Sequence, residues 1–195
     1  MKIGLYFGSF NPIHNGHLMI ASYFAEYSDL NEIWFVVSPQ NPLKEKSSLL
    51  TDYHRLALVN EAIENDVRFK SCDIEFKLSQ PSFTINTLTY IQEKYPQKEF
   101  SLIMGADNLE NIHKWKNFEQ IIKNYSIYVY PRPGYDGGKF KELNSVNWIN
   151  APLLEISSSF IRGAISEKKD MSYFLPEKVY KYIQEMHFYE SKKNI

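Results

Sequence analysis

Short apolar runs recur along the chain, separated by stretches whose apolar positions fall at helical spacing. Ile3, Leu5 and Phe7 open a short strand. Ile33–Ser38 (IWFVVS), Phe100–Gly105 (FSLIMG) and Ser126–Tyr130 (SIYVY) are runs of the kind that suits strands of a parallel sheet covered on both faces. Arg68–Phe76 supplies a further extended segment. Between the strands the spacing predicts helices over Leu18–Tyr27, with Leu18, Ala21, Tyr23 and Phe24 turned inward, and from Thr51 or Asp52 to about Asn65, with Leu56, Val59 and Ile63 inward. Ser82–Lys94 reads as a helix carrying Ile85, Leu88 and Ile91 on one face, and a shorter helix lies around Phe118–Lys123. Pro131–Phe140 is a turn-rich loop, and Ser157–Ser166 and Pro176–Met186 are closing helices, the second with its proline near the first turn.

This alternation predicts an α/β fold: a doubly wound, Rossmann-like, mostly parallel sheet flanked by helices, in one domain spanning residues 1–195. Such sheets bind ligands outside the carboxyl ends of their strands, where the strand order reverses. The stretch GSFNPIHNGHL, Gly8–Leu18, follows the first strand and belongs at that edge.

Composition narrows the partners. The chain has 195 residues, 44% of them hydrophobic, which is enough for one substantial core. Its 22 basic and 23 acidic side chains leave a formal charge of −1, so bulk electrostatics draw it to neither nucleic acid nor a membrane surface. A single cysteine, Cys72, excludes an internal disulfide and a Cys-built zinc site, suits a reducing cytosol, and carries no catalytic cysteine signature around it. The opening MKIGLYFG is too short an apolar run for a signal peptide, and no stretch approaches the ~18 apolar residues of a membrane span, so a cytoplasmic protein is expected. The sequence leaves a homo-oligomer possible.

The chemistry concentrates in GSFNPIHNGHL. A Walker-type loop needs Lys and Ser or Thr after its last glycine, whereas His17 follows Gly16. The dinucleotide fingerprint needs three close glycines, and a zinc-protease helix needs His-Glu-x-x-His; neither pattern is present. What remains is anion handling. Gly8 and Gly16 let the backbone approach a phosphate, and the following helix offers unpaired N–H groups and its positive dipole end. His14 and His17, three residues apart at a helix start, share a side of it and can both donate to oxygens of one phosphoryl group. Phosphoryl and nucleotidyl transfer ask mainly for such positioning and charge stabilisation.

These residues resemble the His-x-Gly-His motif of the nucleotidyltransferase superfamily, here His14-Asn15-Gly16-His17. A second superfamily signature, Ile-Ser-Ser-(Ser/Thr)-x-Ile-Arg, stands near the C-terminus as ISSSFIR, Ile156–Arg162. Within the superfamily the chain is similar to the nicotinate-nucleotide adenylyltransferase family over nearly its whole length. QPSFTINTL (Gln80–Leu88) is similar to that family's nicotinate-site motif, GADNLENIHKW (Gly105–Trp115) to its Gly-x-Asp…Trp stretch, and RPG (Arg132–Gly134) follows the fourth strand as in the family. The resemblance implies adenylyl transfer from ATP to nicotinate mononucleotide, giving deamido-NAD and pyrophosphate, with Mg²⁺ carried on ATP. It implies catalytic roles for His14, His17, Lys44 and Arg162. ATP contacts would come from Gly8, Ser9, Phe10, Gly16, Gly105, Asp107, Ile156, Ser157, Ser158 and Ser159. The mononucleotide would meet Ser82, Phe83, Thr84, Trp115 and Arg132. The family commonly has Pro-His-Lys where this chain has Pro42-Leu43-Lys44. Two rivals stay open: pantetheine-phosphate adenylyltransferase, which shares both motifs but not SFTINTL and Trp115, and a catalytically silent nucleotide-binding regulator. Class I aminoacyl-tRNA synthetases share a related His-x-Gly-His, but their second lysine-rich signature is missing here.

Overall fold

The computed structural model describes residues 1–39 and 49–191. Six strands build one sheet: β1 (Lys2–Gly8), β2 (Glu32–Val37), β3 (Phe69–Cys72), β4 (Glu99–Gly105), β5 (Ile127–Tyr130) and β6 (Val146–Trp148). Their order is β3-β2-β1-β4-β5-β6, and every pairing is parallel. The chain winds outward from β1 to β3, then returns to lay β4 on the other side of β1. The reversal therefore falls between β1 and β4, and ligand chemistry is expected at their carboxyl ends.

Helices cover both faces because successive strand residues point to opposite sides. In β1, Tyr6 joins one core with Phe35, Ile103 and Tyr130, while Leu5 joins the other with Trp34, Leu102 and Val129. The first core is sealed by α1 (Asn15–Tyr27), α2 (Asp52–Ile63), α6 (Ser158–Ser166) and α7 (Glu177–Glu185); the second by α3 (Thr84–Lys94), α4 (Ala106–Glu110) and α5 (Phe118–Asn124). Among the described residues no helix is long and apolar enough to cross a membrane.

Several local expectations are corrected. α1 begins at Asn15, ahead of its apolar stripe, because His14 in extended backbone (φ −148°) is its N-cap. The extended segment Arg68–Phe76 shortens to β3, after which Asp73 turns the chain into a 3₁₀ turn, Ile74–Lys77. The edge strand β6 was not foreseen: its three residues, Val-Asn-Trp, carry no apolar run. Ser157 caps α6, as the serine run suggests, its Oγ accepting the Phe160 N–H at 3.2 Å.

Candidate active site

The loop leaving β1 is shaped from inside. Phe10 adopts left-handed backbone (φ 44°), which turns its ring back into the core against Tyr6, Phe35 and His17, with centroids 5.8, 5.5 and 5.1 Å apart. A side chain on Gly8 would come within 2.7 Å of that ring, so the glycine is required by Phe10. Phe10 is 1% exposed, so an ATP contact at this residue falls to its backbone.

His14 and His17 follow at the start of α1. The His14 N–H donates to Nδ1 of His17 at 3.3 Å, which places the proton of a neutral His17 on Nε2. The two rings stack, and a Cβ on Gly16 would press on the His14 ring at 3.0 Å and on Ile156 at 3.3 Å. His14 is 4% exposed, and its Nδ1 is buried without a partner among the described residues. Burial first, and the Arg132 charge second, lower its pKa to about 4, so the imidazole is neutral at pH 7.

The second motif is bonded to the first. Ser158 Oγ donates to the Pro12 carbonyl at 2.9 Å. Arg162 Nη1 donates to the Asn11 carbonyl at 2.9 Å and Nη2 to Ser159 Oγ at 3.3 Å. Segments 146 and 151 positions apart in sequence thus meet at the β1 loop, with the N-terminus of α6 beside the histidines.

Opposite them, Gly105 ends β4. A Cβ there would lie 2.3 Å from Asp107 Oδ1 and 3.0 Å from Arg132 Cγ. Arg132 Nε and Asp107 Oδ1 form an ion pair at 3.8 Å, and neither of these buried atoms makes a hydrogen bond among the described residues. Tyr130, not singled out in the sequence, holds the arginine: its hydroxyl accepts from Nη2 at 3.2 Å, and the guanidinium carbon sits 5.1 Å from its ring centroid. Asp107 and Arg132 thus face each other as an ion pair at the end of β4.

The segment expected to meet the pyridine is arranged differently from the sequence reading. Ser82 does not start the helix. Its hydroxyl is buried and donates to Glu75 at 3.0 Å, beside a 2.7 Å bond to Glu75 from Thr87. Phe83 takes the N-cap position instead, accepting the N–H groups of Asn86 and Thr87. The N–H groups of Thr84 and Ile85 occupy the first-turn positions that have no helical acceptor. Lys116 Nζ lies 4.5 Å from the Phe83 ring centroid, bringing the residue after half-buried Trp115 beside this helix start. Glu75 gives no sequence signal; only the fold reveals it as the anchor of the segment.

Lys44, with Pro42 and Leu43, lies outside the described residues. Arg55 is fully buried. It donates to the carbonyls of Ser9, Ser38, Pro39 and Leu50 at 2.6, 2.7, 3.2 and 3.1 Å, and pairs with Asp52. It is a clamp on the strand ends. Ser9 enters the site region through that bonded backbone.

A cytidylyltransferase-like family model matches residues 5–164. A probable nicotinate-nucleotide adenylyltransferase of Flavobacterium psychrophilum is 56% identical over 192 residues, covering 97% of this chain and 100% of its own length. One of Christiangramia forsetii is 56% identical over 191 residues, covering 97% and 98%. The solved Plasmodium falciparum nicotinic acid mononucleotide adenylyltransferase complexed with NaAD superposes with a TM-score of 0.81 over 96% of this chain and 97% of that one. Its 24% identity makes this a likeness of fold.

Proposed function

The chain belongs to the nicotinate-nucleotide adenylyltransferase family, and on that footing we propose that its site transfers the adenylyl group of ATP to nicotinate mononucleotide, a step of NAD biosynthesis. The observation that carries the reading is the bonding of Ser158 and Arg162, at the start of α6, to the Pro12 and Asn11 carbonyls of the β1 loop, which brings both motifs together.

A phosphate oxygen of the mononucleotide attacks the α-phosphorus of ATP. The bond from that phosphorus to the oxygen bridging toward the β-phosphate breaks, and pyrophosphate leaves. Charge builds on the non-bridging and departing oxygens, so the chain's task is to offer donors already aimed there. His17 Nε2–H and His14 supply two. The N-terminus of α6, the hydroxyls of Ser157 and Ser159 and the Arg162 guanidinium grip the β- and γ-phosphates, Ser158 holds that helix end to the Pro12 carbonyl, and Lys44 joins them in this reading. Gly8, Gly16, Gly105 and Ile156 keep the floor low enough for ATP, Asp107 supplies it a polar contact, and Arg132, paired with Asp107, meets the mononucleotide. Among the described residues no three His, Cys, Asp or Glu side chains converge on one point. Mg²⁺ entering with ATP would be held by its phosphate oxygens and would neutralise the triphosphate.

The acceptor's carboxylate is placed at the start of α3, against the Thr84 and Ile85 N–H groups, with Phe83 and Trp115 bracketing the ring; Ser82 contributes by holding the turn through Glu75. Incubation with ATP, Mg²⁺ and nicotinate mononucleotide, with products identified by mass, tests the proposal. Equal amounts of deamido-NAD and pyrophosphate are expected. Product formed with phosphopantetheine and none with the mononucleotide would assign the site to the other adenylyltransferase.

A further inference from the structure

After α7 the chain folds back on itself. His187 (φ 53°) and Tyr189 (φ 66°) take left-handed backbone, and the Phe188 N–H bonds to the Ile183 carbonyl at 3.0 Å. This turn lays Phe188 against His54 of α2, with centroids 4.8 Å apart, and sends Tyr189 inward. The Tyr189 hydroxyl donates to Asn11 Oδ1 at 2.8 Å, across 178 positions of sequence. The same oxygen accepts the Leu50 N–H at 3.2 Å, while the backbone carbonyl of Asn11 accepts from Arg162 at 2.9 Å. Asn11 is 2% exposed, and Leu50, Arg162 and Tyr189 line one recess.

We propose that Tyr189 is a positioning residue of the ATP-phosphate site, fixing through Asn11 the place where Arg162 presents its guanidinium. The inference rests on reading Arg162 as a phosphate ligand. Asn11 sits between Phe10, whose ring is locked in the core, and Pro12, whose carbonyl receives Ser158. A shift of its peptide therefore moves the acceptor of Arg162 and the loop that leads to His14 together. Burial keeps the phenol in its neutral, donating form. The ring alone would fill the recess; the hydroxyl is what ties the loop.

Tyr189→Phe keeps the ring and removes the tie. Calorimetric titration of the full-length protein with ATP and, separately, with nicotinate mononucleotide reads the effect. ATP affinity is expected to fall about fivefold, the equivalent of one neutral hydrogen bond, with mononucleotide affinity changed less than about twofold. Phe188→Leu loosens the same turn without touching the hydroxyl, and its ATP affinity is expected to match the wild type. Unchanged ATP affinity in Tyr189→Phe, equal weakening of both ligands, or equal weakening by Phe188→Leu would each overturn the proposal and leave Tyr189 a packing residue. A wild type that binds ATP but forms no deamido-NAD would sink the proposed function, and the ATP titrations would still decide the role of Tyr189.

Discussion

The imidazole rings of His14 and His17 stack with centroids 3.7 Å apart and planes 23° apart. Two charged rings at that separation would repel, and the buried one, His14, is the one held neutral, with a pKa of about 4. The folded state then binds fewer protons than the unfolded chain between pH 4 and 6.5, the window set by the lowered and ordinary values. Stability is therefore fully present above the unfolded value and lost as pH falls through the window. Between pH 7 and pH 5 the wild type is expected to lose about 2 kcal/mol more unfolding free energy than His14→Gln. Urea denaturation of both proteins at the two pH values checks this. Equal losses would show that His14 is not buried in its neutral form.

His17→Ala is expected to stop turnover while leaving the fold in place. Loss of one donor aimed at the transition state lowers kcat by about 10²–10³. The ring also accepts the His14 N–H, and that backbone bond lies at a helix end where water can replace it. Steady-state kinetics beside circular dichroism measures both. A folded variant retaining about a third of the activity would remove His17 from the chemistry.

Arg162→Ala is expected to act on the ATP side alone. A charge-assisted bond to phosphate contributes about 1.5–3 kcal/mol, so ATP affinity should fall about 10- to 150-fold while the mononucleotide binds as before. Separate calorimetric titrations distinguish this from a general loss of fold, which would weaken both.

Arg55→Met is expected to cost about 3–5 kcal/mol of stability, because it strips partners from buried carbonyls at the strand ends. The bonds to Ser9 and Ser38 mean that activity should fall along with the melting temperature. Thermal unfolding measures the first effect. A change of only a few tenths of a kcal/mol would mean that water replaces the clamp.

What the sequence made legible follows from how each feature is encoded. The strands at the centre of the sheet are continuous apolar runs because both their faces are buried, and their alternation with helical spacing implies the doubly wound order. β6 escaped notice because an edge strand of three residues has Asn147 at its middle and needs no such run. Ser82 has the chemistry of a helix cap, yet a carboxylate that sequence spacing does not connect to it, Glu75, takes its hydroxyl and moves the cap to Phe83. Phe10 lies inside a phosphate-handling motif, but its positive φ sends the ring to the core. Arg55 looks like one more charged residue on a helix; only the fold brings four carbonyls to it. Tyr130 and Tyr189 were invisible for the same reason, since their partners are set by the tertiary fold. The histidines, the serine cap of α6 and Arg162 were legible because dense local motifs carry them.

The start of α3 is expected to receive the carboxylate of the acceptor. The N–H groups of Thr84 and Ile85, at the positive end of the helix dipole, suit an anion; a carboxamide would turn donors toward donors. Unmatched groups cost about 1–3 kcal/mol each, so two of them separate the substrates by about 10²–10⁴. The deciding measurement is kcat/KM for nicotinate mononucleotide and its amide under saturating ATP and Mg²⁺. A preference for the acid of about 10²-fold or more is expected, narrowed by Thr84→Pro, whose ring removes one N–H, and kept by Trp115→Ala, which weakens both substrates alike. A ratio near one in the wild type would contradict the carboxylate site.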